Sequence, residues 1–188
     1  GEYAALTSAG VITWEDALRL VNKRGELMHR ESLSNPGVMA AVLGMDIHEL
    51  SKIVSQAGAK GVIAIANHNT AEQIVITGEE GPVNYALELM EENGKKAIPL
   101  KVSGAWHCDR MNAAVNEFHE FLKTIPFSTP KTGILFNATA ESEGDPDRIR
   151  EIMAKQLISR VRWYDIIIKM MENGVDTFVE VGPKKVLS

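Results

Sequence analysis

Gly61-Val62-Ile63-Ala64-Ile65-Ala66 and Gln73-Ile74-Val75-Ile76-Thr77 are two β-branched runs separated by the polar stretch Asn67-His68-Asn69-Thr70. Branched side chains fit a pleated surface and the polar stretch carries turn chemistry, so the pair predicts two adjacent strands. Working outward, Asp46-Ile47-His48-Glu49 caps a helix before the pair, with Leu50, Ile53 and Val54 on one face and Gly58 closing it. After the pair, Pro82 opens a second helix with Val83, Ala86, Leu87 and Met90 on one face and Asn93-Gly94 at its end. Val38 to Leu43 and Ala97 to Val102 are short apolar runs of strand length at either side.

The resulting order, β-α-β-β-α-β, is the split βαβ pattern of a ferredoxin-like unit, assigned to residues 37–102. The flanks have a different rhythm. Gly1 to Ala9 reads as the inside of a helix, and Thr13-Trp14-Glu15-Asp16 is a capping box opening another. That second helix carries Trp14, Ala17, Leu18, Val21, Leu27 and Met28 on or near one face, and Ser34-Asn35-Pro36-Gly37 ends it. Beyond Ser103, Met111 to Leu122 is one helical face, Gly133 to Phe136 a short strand, and Asp145-Pro146-Asp147 the start of a helix running to Leu157. Trp163 to Met171 predicts a further helix and Thr177 to Val181 a strand. Such alternation points to a parallel α/β sheet, so residues 1–36 and 103–188 read as one α/β body interrupted by the small unit. The cleft between two such bodies is a common place for a ligand.

Composition excludes several classes. Of the 188 residues, 45% are hydrophobic and 24% charged, which is ordinary for a globular domain and unlike a disordered tail. A net charge of −5 argues against nucleic acid, which needs a basic face. One cysteine, Cys108, cannot form an internal disulfide, and no apolar run reaches the ~20 residues of a membrane span. A cytoplasmic, monomeric protein without a membrane anchor is the expectation. The chain opens Gly1-Glu2-Tyr3 and stops at Val186-Leu187-Ser188, inside an element at each end, so it reads as part of a longer protein.

Five histidines show no metal-ligand spacing, and no glycine-rich phosphate loop occurs, so neither metal nor cofactor is expected. His107 follows a predicted strand in Ser103-Gly104-Ala105-Trp106-His107-Cys108, at the seam between the two bodies. A histidine there serves as a general base or is simply held by loop hydrogen bonds, and the sequence leaves both open. Cys108, beside it, reads as a small buried thiol. Arg24 falls within the apolar stripe of its helix, where a guanidinium needs a partner. That partner is an internal carboxylate or a ligand carboxylate gripped by the planar fork. The Asn67-His68-Asn69 stretch is read as a plain turn, and Met28, Met39 and Met111 as packing residues.

Six segments, in order, resemble one family: Gly1-Glu2-Tyr3-Ala4-Ala5-Leu6, Arg24-Gly25-Glu26-Leu27-Met28, Ala66-Asn67-His68-Asn69-Thr70, Ser103-Gly104-Ala105-Trp106-His107, Gln156-Leu157, and Glu180-Val181-Gly182-Pro183-Lys184-Lys185-Val186-Leu187. The family is that of the malonyl-CoA:acyl-carrier-protein transacylases, with the related acyltransferase domains of polyketide synthases. The resemblance implies an α/β-hydrolase-like body with an inserted ferredoxin-like subdomain. It implies a serine nucleophile in Gly-His-Ser-x-Gly-Glu-Tyr, which would lie two positions before Gly1, and an oxyanion-hole segment further upstream. On that expectation the 188 residues alone are inactive.

By the same resemblance His107 is the general base and the backbone carbonyl of Gln156 orients its ring. Arg24 clamps the free carboxylate of malonyl, Met28 and Trp106 line the acyl pocket, and Asn67 faces the cleft. The implied reaction is ping-pong: malonyl passes from coenzyme A to serine and then to the phosphopantetheine thiol of acyl carrier protein, for fatty-acid synthesis. Trp106 stands where the family usually has Phe, which narrows the pocket in favour of unbranched malonyl. An acyltransferase domain of a polyketide synthase, or a non-catalytic remnant that binds carrier protein, are the alternatives.

Overall fold

A computed structural model describes residues 1–102 and 104–182. Helices α1 (Glu2–Ser8) and α2 (Trp14–Ser34) lead into a unit of four strands and two helices: β1 (Val38–Leu43), α3 (Ile47–Ala57), β2 (Ile63–Thr70), β3 (Gln73–Gly78), α4 (Glu80–Glu92) and β4 (Lys96–Pro99). Helices α5 (Asn112–Lys123), α6 (Pro146–Lys155) and α7 (Trp163–Glu172) follow. Three helices start where a short polar side chain satisfies otherwise unpaired amides. Thr13 Oγ1 accepts from Asp16 N at 3.1 Å, Asp46 Oδ1 from His48 N and Glu49 N, and Asp145 Oδ1 from Asp147 N and Arg148 N. Each such cap contributes about 1 kcal/mol.

The sheet is antiparallel throughout, in the order β2-β3-β1-β4. Its period-two alternation sorts side chains between two faces. Ala40, Val42, Ile74 and Ile76 pack with Leu50 and Ala57 of α3 and with Val83, Ala86 and Met90 of α4. Met39, Ala41 and Val75 point the other way and, with Ala66, pack on Trp106. The second core lies among α1, α2, α5 and α6, built from Leu6, Leu20, Leu27, Phe118, Leu122, Ile149 and Met153, with Phe136 and Ile134 from the segment before α6. Trp106 also packs against this core, so one indole joins the two bodies.

Several expectations fail for identifiable reasons. Asn67 to Thr70 is strand, not turn. Its backbone is held on both sides, by Val75 and Ile74 of β3 and by Val161, to which His68 N donates at 2.8 Å. Tertiary pairing overrides the turn chemistry, leaving two irregularities in the register at Ile65/Asn67 and His68/Thr70. Residues 133–136 form no strand, since Leu135 meets only Ser142 through an isolated bridge. Thr177 to Val181 is irregular, with Val179 and Val181 exposed. Among the described residues there is accordingly no parallel sheet. The last strand of the small unit ends at Pro99, short of the expected Val102. On α2 the inward face is Leu20, Leu27 and Glu31, so Trp14, Leu18 and Val21 lie on its flank and are exposed. Of the segment Glu180 to Leu187 that carries part of the resemblance, the residues after Gly182 lie outside the described residues.

Candidate active site

Arg24 occupies the buried side of α2, one turn from Leu20 and Leu27, which is why its guanidinium points into the protein. There Nε and Nη2 both donate to Gln156 Oε1, at 3.2 and 3.0 Å. The partner is therefore an amide, and among the described residues Arg24 makes no ion pair. Gln156 is buried and caps the C-terminus of α6, where helix carbonyls lack intrahelical donors. His107 supplies one: its Nδ1 lies 3.1 Å from Gln156 O and 3.0 Å from Ser159 O. Both are carbonyls and can only accept, so Nδ1 carries the proton. In the neutral ring Nε2 is then left with its lone pair, the tautomer a general base requires.

Burial, with a lesser contribution from the Arg24 charge, depresses the His107 pKa to about 4, against the two carbonyls, which pull it up. The ring is neutral at physiological pH. Its backbone has φ +61°, a left-handed conformation uncommon outside glycine and typical of strained functional positions. The glycine two residues before Trp106 has a packing reason. A Cβ on Gly104 would lie 2.7 Å from Trp106 Cη2 and 2.8 Å from Ser32 Cβ. Cys108 is buried, burial raises its pKa, and Sγ donates weakly to Ala105 O, as a structural thiol does.

Arg24, Gln156 and His107 thus converge from three distant segments. Met28, one turn along α2, is half-buried against the same core as Trp106. Asn67 sits apart from them. It lines a cavity of about 530 Å³ with Glu2, Asn69, Asn137, Trp163 and Met170, a cavity that none of Arg24, Met28, Trp106 or His107 lines. Two further buried groups, one lining this cavity and one between two residues that line it, carry no signal in the sequence. Glu2 is buried, with Oε1 accepting from Asn137 N at 2.8 Å and Oε2 unpartnered among the described residues, and burial raises its pKa. His68 is buried behind Asn67 and Asn69, against the Tyr164 ring and 3.7 Å from Asp165 Oδ1, and burial lowers its pKa. In sequence Glu2 is merely an acid in a first turn and His68 one polar residue of a polar stretch. Among the described residues no group of three or more His, Cys, Asp or Glu is placed to hold a metal ion.

A neutral, oriented imidazole stands beside an arginine that makes no ion pair among the described residues, an arrangement chemically suited to base-assisted chemistry on an anionic ligand. The acyl transferase domain family matches residues 1–188, and the chain belongs to it. It is 40% identical over 190 residues to the malonyl CoA-acyl carrier protein transacylase of Bacillus subtilis, covering all of this chain and 60% of that protein. An acyl carrier protein S-malonyltransferase from Vibrio cholerae superposes with a TM-score of 0.96 at 36% identity, over all of this chain and 61% of that one. A malonyl-transacylase solved in complex with its type II polyketide synthase acyl-carrier protein does so at 0.95 and 33%, again over all of this chain and 61% of that one. The chain thus spans about three fifths of the length of each of these three relatives. Among the described residues no helix is long and apolar enough to cross a membrane.

Proposed function

We propose that these residues are the base-and-clamp portion of a malonyl-CoA:acyl-carrier-protein transacylase serving fatty-acid synthesis in the cytoplasm, as a monomer. The observation that carries the reading is the Arg24–Gln156–His107 arrangement, in which a base tautomer and an unpaired cation share one neutral hub. Residues 37–102 are a ferredoxin-like subdomain, supported by the strand order β2-β3-β1-β4 with α3 and α4 on one face. Residues 1–36 and 103–188 belong to an α/β-hydrolase-like body.

The resemblance implies a serine two positions ahead of Gly1. His107 Nε2 takes its proton as Oγ attacks the thioester carbonyl of malonyl-CoA. The carbon–sulfur bond then breaks, and the departing coenzyme A sulfur takes the proton back from Nε2. In the second half the phosphopantetheine thiol of acyl carrier protein gives its proton to Nε2 and attacks the acyl ester. Oγ leaves and is reprotonated by the same nitrogen. Throughout, Arg24 holds the free carboxylate of malonyl, while Met28 and Trp106 bound the acyl pocket and Asn67 faces the cleft. Trp106 narrows that pocket against branched acyl groups.

The full product of the gene carrying this sequence, incubated with malonyl-CoA and weighed intact, should gain one malonyl group and lose it on adding carrier protein. No adduct would sink the reading. The polyketide complex among the similar structures favours a second reading, in which the recipient is a polyketide synthase carrier protein. Comparing transfer rates to the two kinds of carrier protein separates them.

A further inference from the structure

Gln156 meets both halves of the site with different atoms. Its backbone oxygen orients His107, and its side-chain Oε1 takes two N–H groups of Arg24. The side chain is buried, with the residue 6% exposed, so the contact is enclosed and geometrically fixed. An amide oxygen aligns a guanidinium without neutralising it. A carboxylate at the same place would form an internal ion pair and compete with any anionic ligand. The nearby carboxyl whose titration feels Arg24 is that of Glu2, which is engaged with Asn137 N and raised by burial. Gln156 occupies the Nε side of the fork. Among the described residues no acceptor takes Nη1 or the outer N–H of Nη2, and two donors in parallel are what a ligand carboxylate takes.

We infer that the Gln156 side chain is a positioning residue for Arg24 and sets selectivity for acyl thioesters ending in a carboxylate, separately from the part its backbone plays for His107. The inference rests on the reading of Arg24 as the carboxylate clamp. Because one residue serves the clamp by its side chain and the base by its backbone, a substitution disturbs the first and spares the second.

The test is Gln156→Glu in the full gene product, assayed with malonyl-CoA and acetyl-CoA at fixed carrier protein, alongside malonate binding measured by calorimetry. The expected result is a KM for malonyl-CoA raised about tenfold or more and malonate binding weakened to match, since one charge-assisted pair accounts for about that factor. The malonyl-to-acetyl ratio of kcat/KM falls by that same factor, beyond any change that the two acyl groups share. Gln156→Met, similar in length and without a strong acceptor, should raise the malonyl KM in the same selective way, and it carries the test if the glutamate variant fails to fold. Parallel loss with both acyl groups, or an unchanged malonyl KM, overturns the inference. Arg24→Ala separates the two levels. If it leaves malonyl preference intact, the clamp reading itself falls. If it abolishes the preference while both Gln156 variants keep the wild-type KM, only the present inference falls.

Discussion

The unit at residues 37–102 and the residues around it obey different rules of assembly. In the small unit each strand finds its partner within about sixty residues, as Val38↔Gly78 and Ala40↔Pro99 show, and its helices pack on the sheet they connect. In the surrounding body the longest contacts nearly span the chain: Arg24 with Gln156 and Glu2 with Asn137. The local unit could therefore be read element by element. The body carries the residues proposed for the chemistry, because distant segments can aim unrelated groups at one point.

The contrast makes loss of His107 the most damaging single change. His107→Ala should slow acyl transfer from malonyl-CoA by ~10²–10⁴-fold, the usual worth of a positioned base, and cost about 1–3 kcal/mol of stability because two carbonyls lose their donor. A near-normal single-turnover rate would return His107 to the status of a loop histidine. Ile76→Ala addresses the other region. It removes a side chain 0% exposed between β3 and the two helices, and should cost about 2–5 kcal/mol in denaturant unfolding. If the small unit is independent in its core, the acylation rate of the remaining folded enzyme stays as it was.

A third prediction concerns pH. With its pKa near 4, His107 stays a competent base well below the 6.5 of an ordinary imidazole, so the acid limb of kcat/KM should fall near pH 4. Removing the Arg24 charge in Arg24→Ala takes away the lesser of the two causes and should move that limb upward. The same shift links to stability. The unfolded chain binds the proton first, so this contribution is intact above about pH 6.5 and is lost as pH falls from there toward 4. A limb near 6.5 in the wild-type protein would contradict the enclosed geometry.

The smallest effect belongs to the joint between the regions. Arg110 Nη1 pairs with Glu79 Oε1 at 2.6 Å while Nη2 donates to Pro36 O, tying the segment just after His107 to the small unit and to its entry point. Both side chains are partly solvated, so Arg110→Ala should cost about 1 kcal/mol or less by chemical denaturation. A loss several times larger would mean that the two regions are less separable than their cores.

Much of the fold was legible because its signals are local. Thr13, Asp46 and Asp145 announce helix starts through their own side chains, and Gly94, with φ +68°, ends α4 where Asn93-Gly94 predicts. Arg24 was conspicuous as a cation within an apolar stripe, and His107 as a histidine in a small-residue loop at a seam. The failures are equally physical. Nothing in Gly133 to Phe136 or Thr177 to Val181 says whether a partner strand lies alongside, and nothing in Asn67-His68-Asn69 reveals that Val161 holds it extended.

By itself, then, the sequence determined the helices, the four-stranded unit and the residue types at the site, because periodicity, caps and turn chemistry act over a few neighbouring residues. The tertiary structure alone decided that Gln156 serves Arg24 with its amide and His107 with its carbonyl. It alone decided that His107 is neutral with Nε2 free, and that Trp106 joins two cores. Burial and hydrogen-bond geometry between residues far apart in sequence are properties of the packed chain, and no local pattern encodes them.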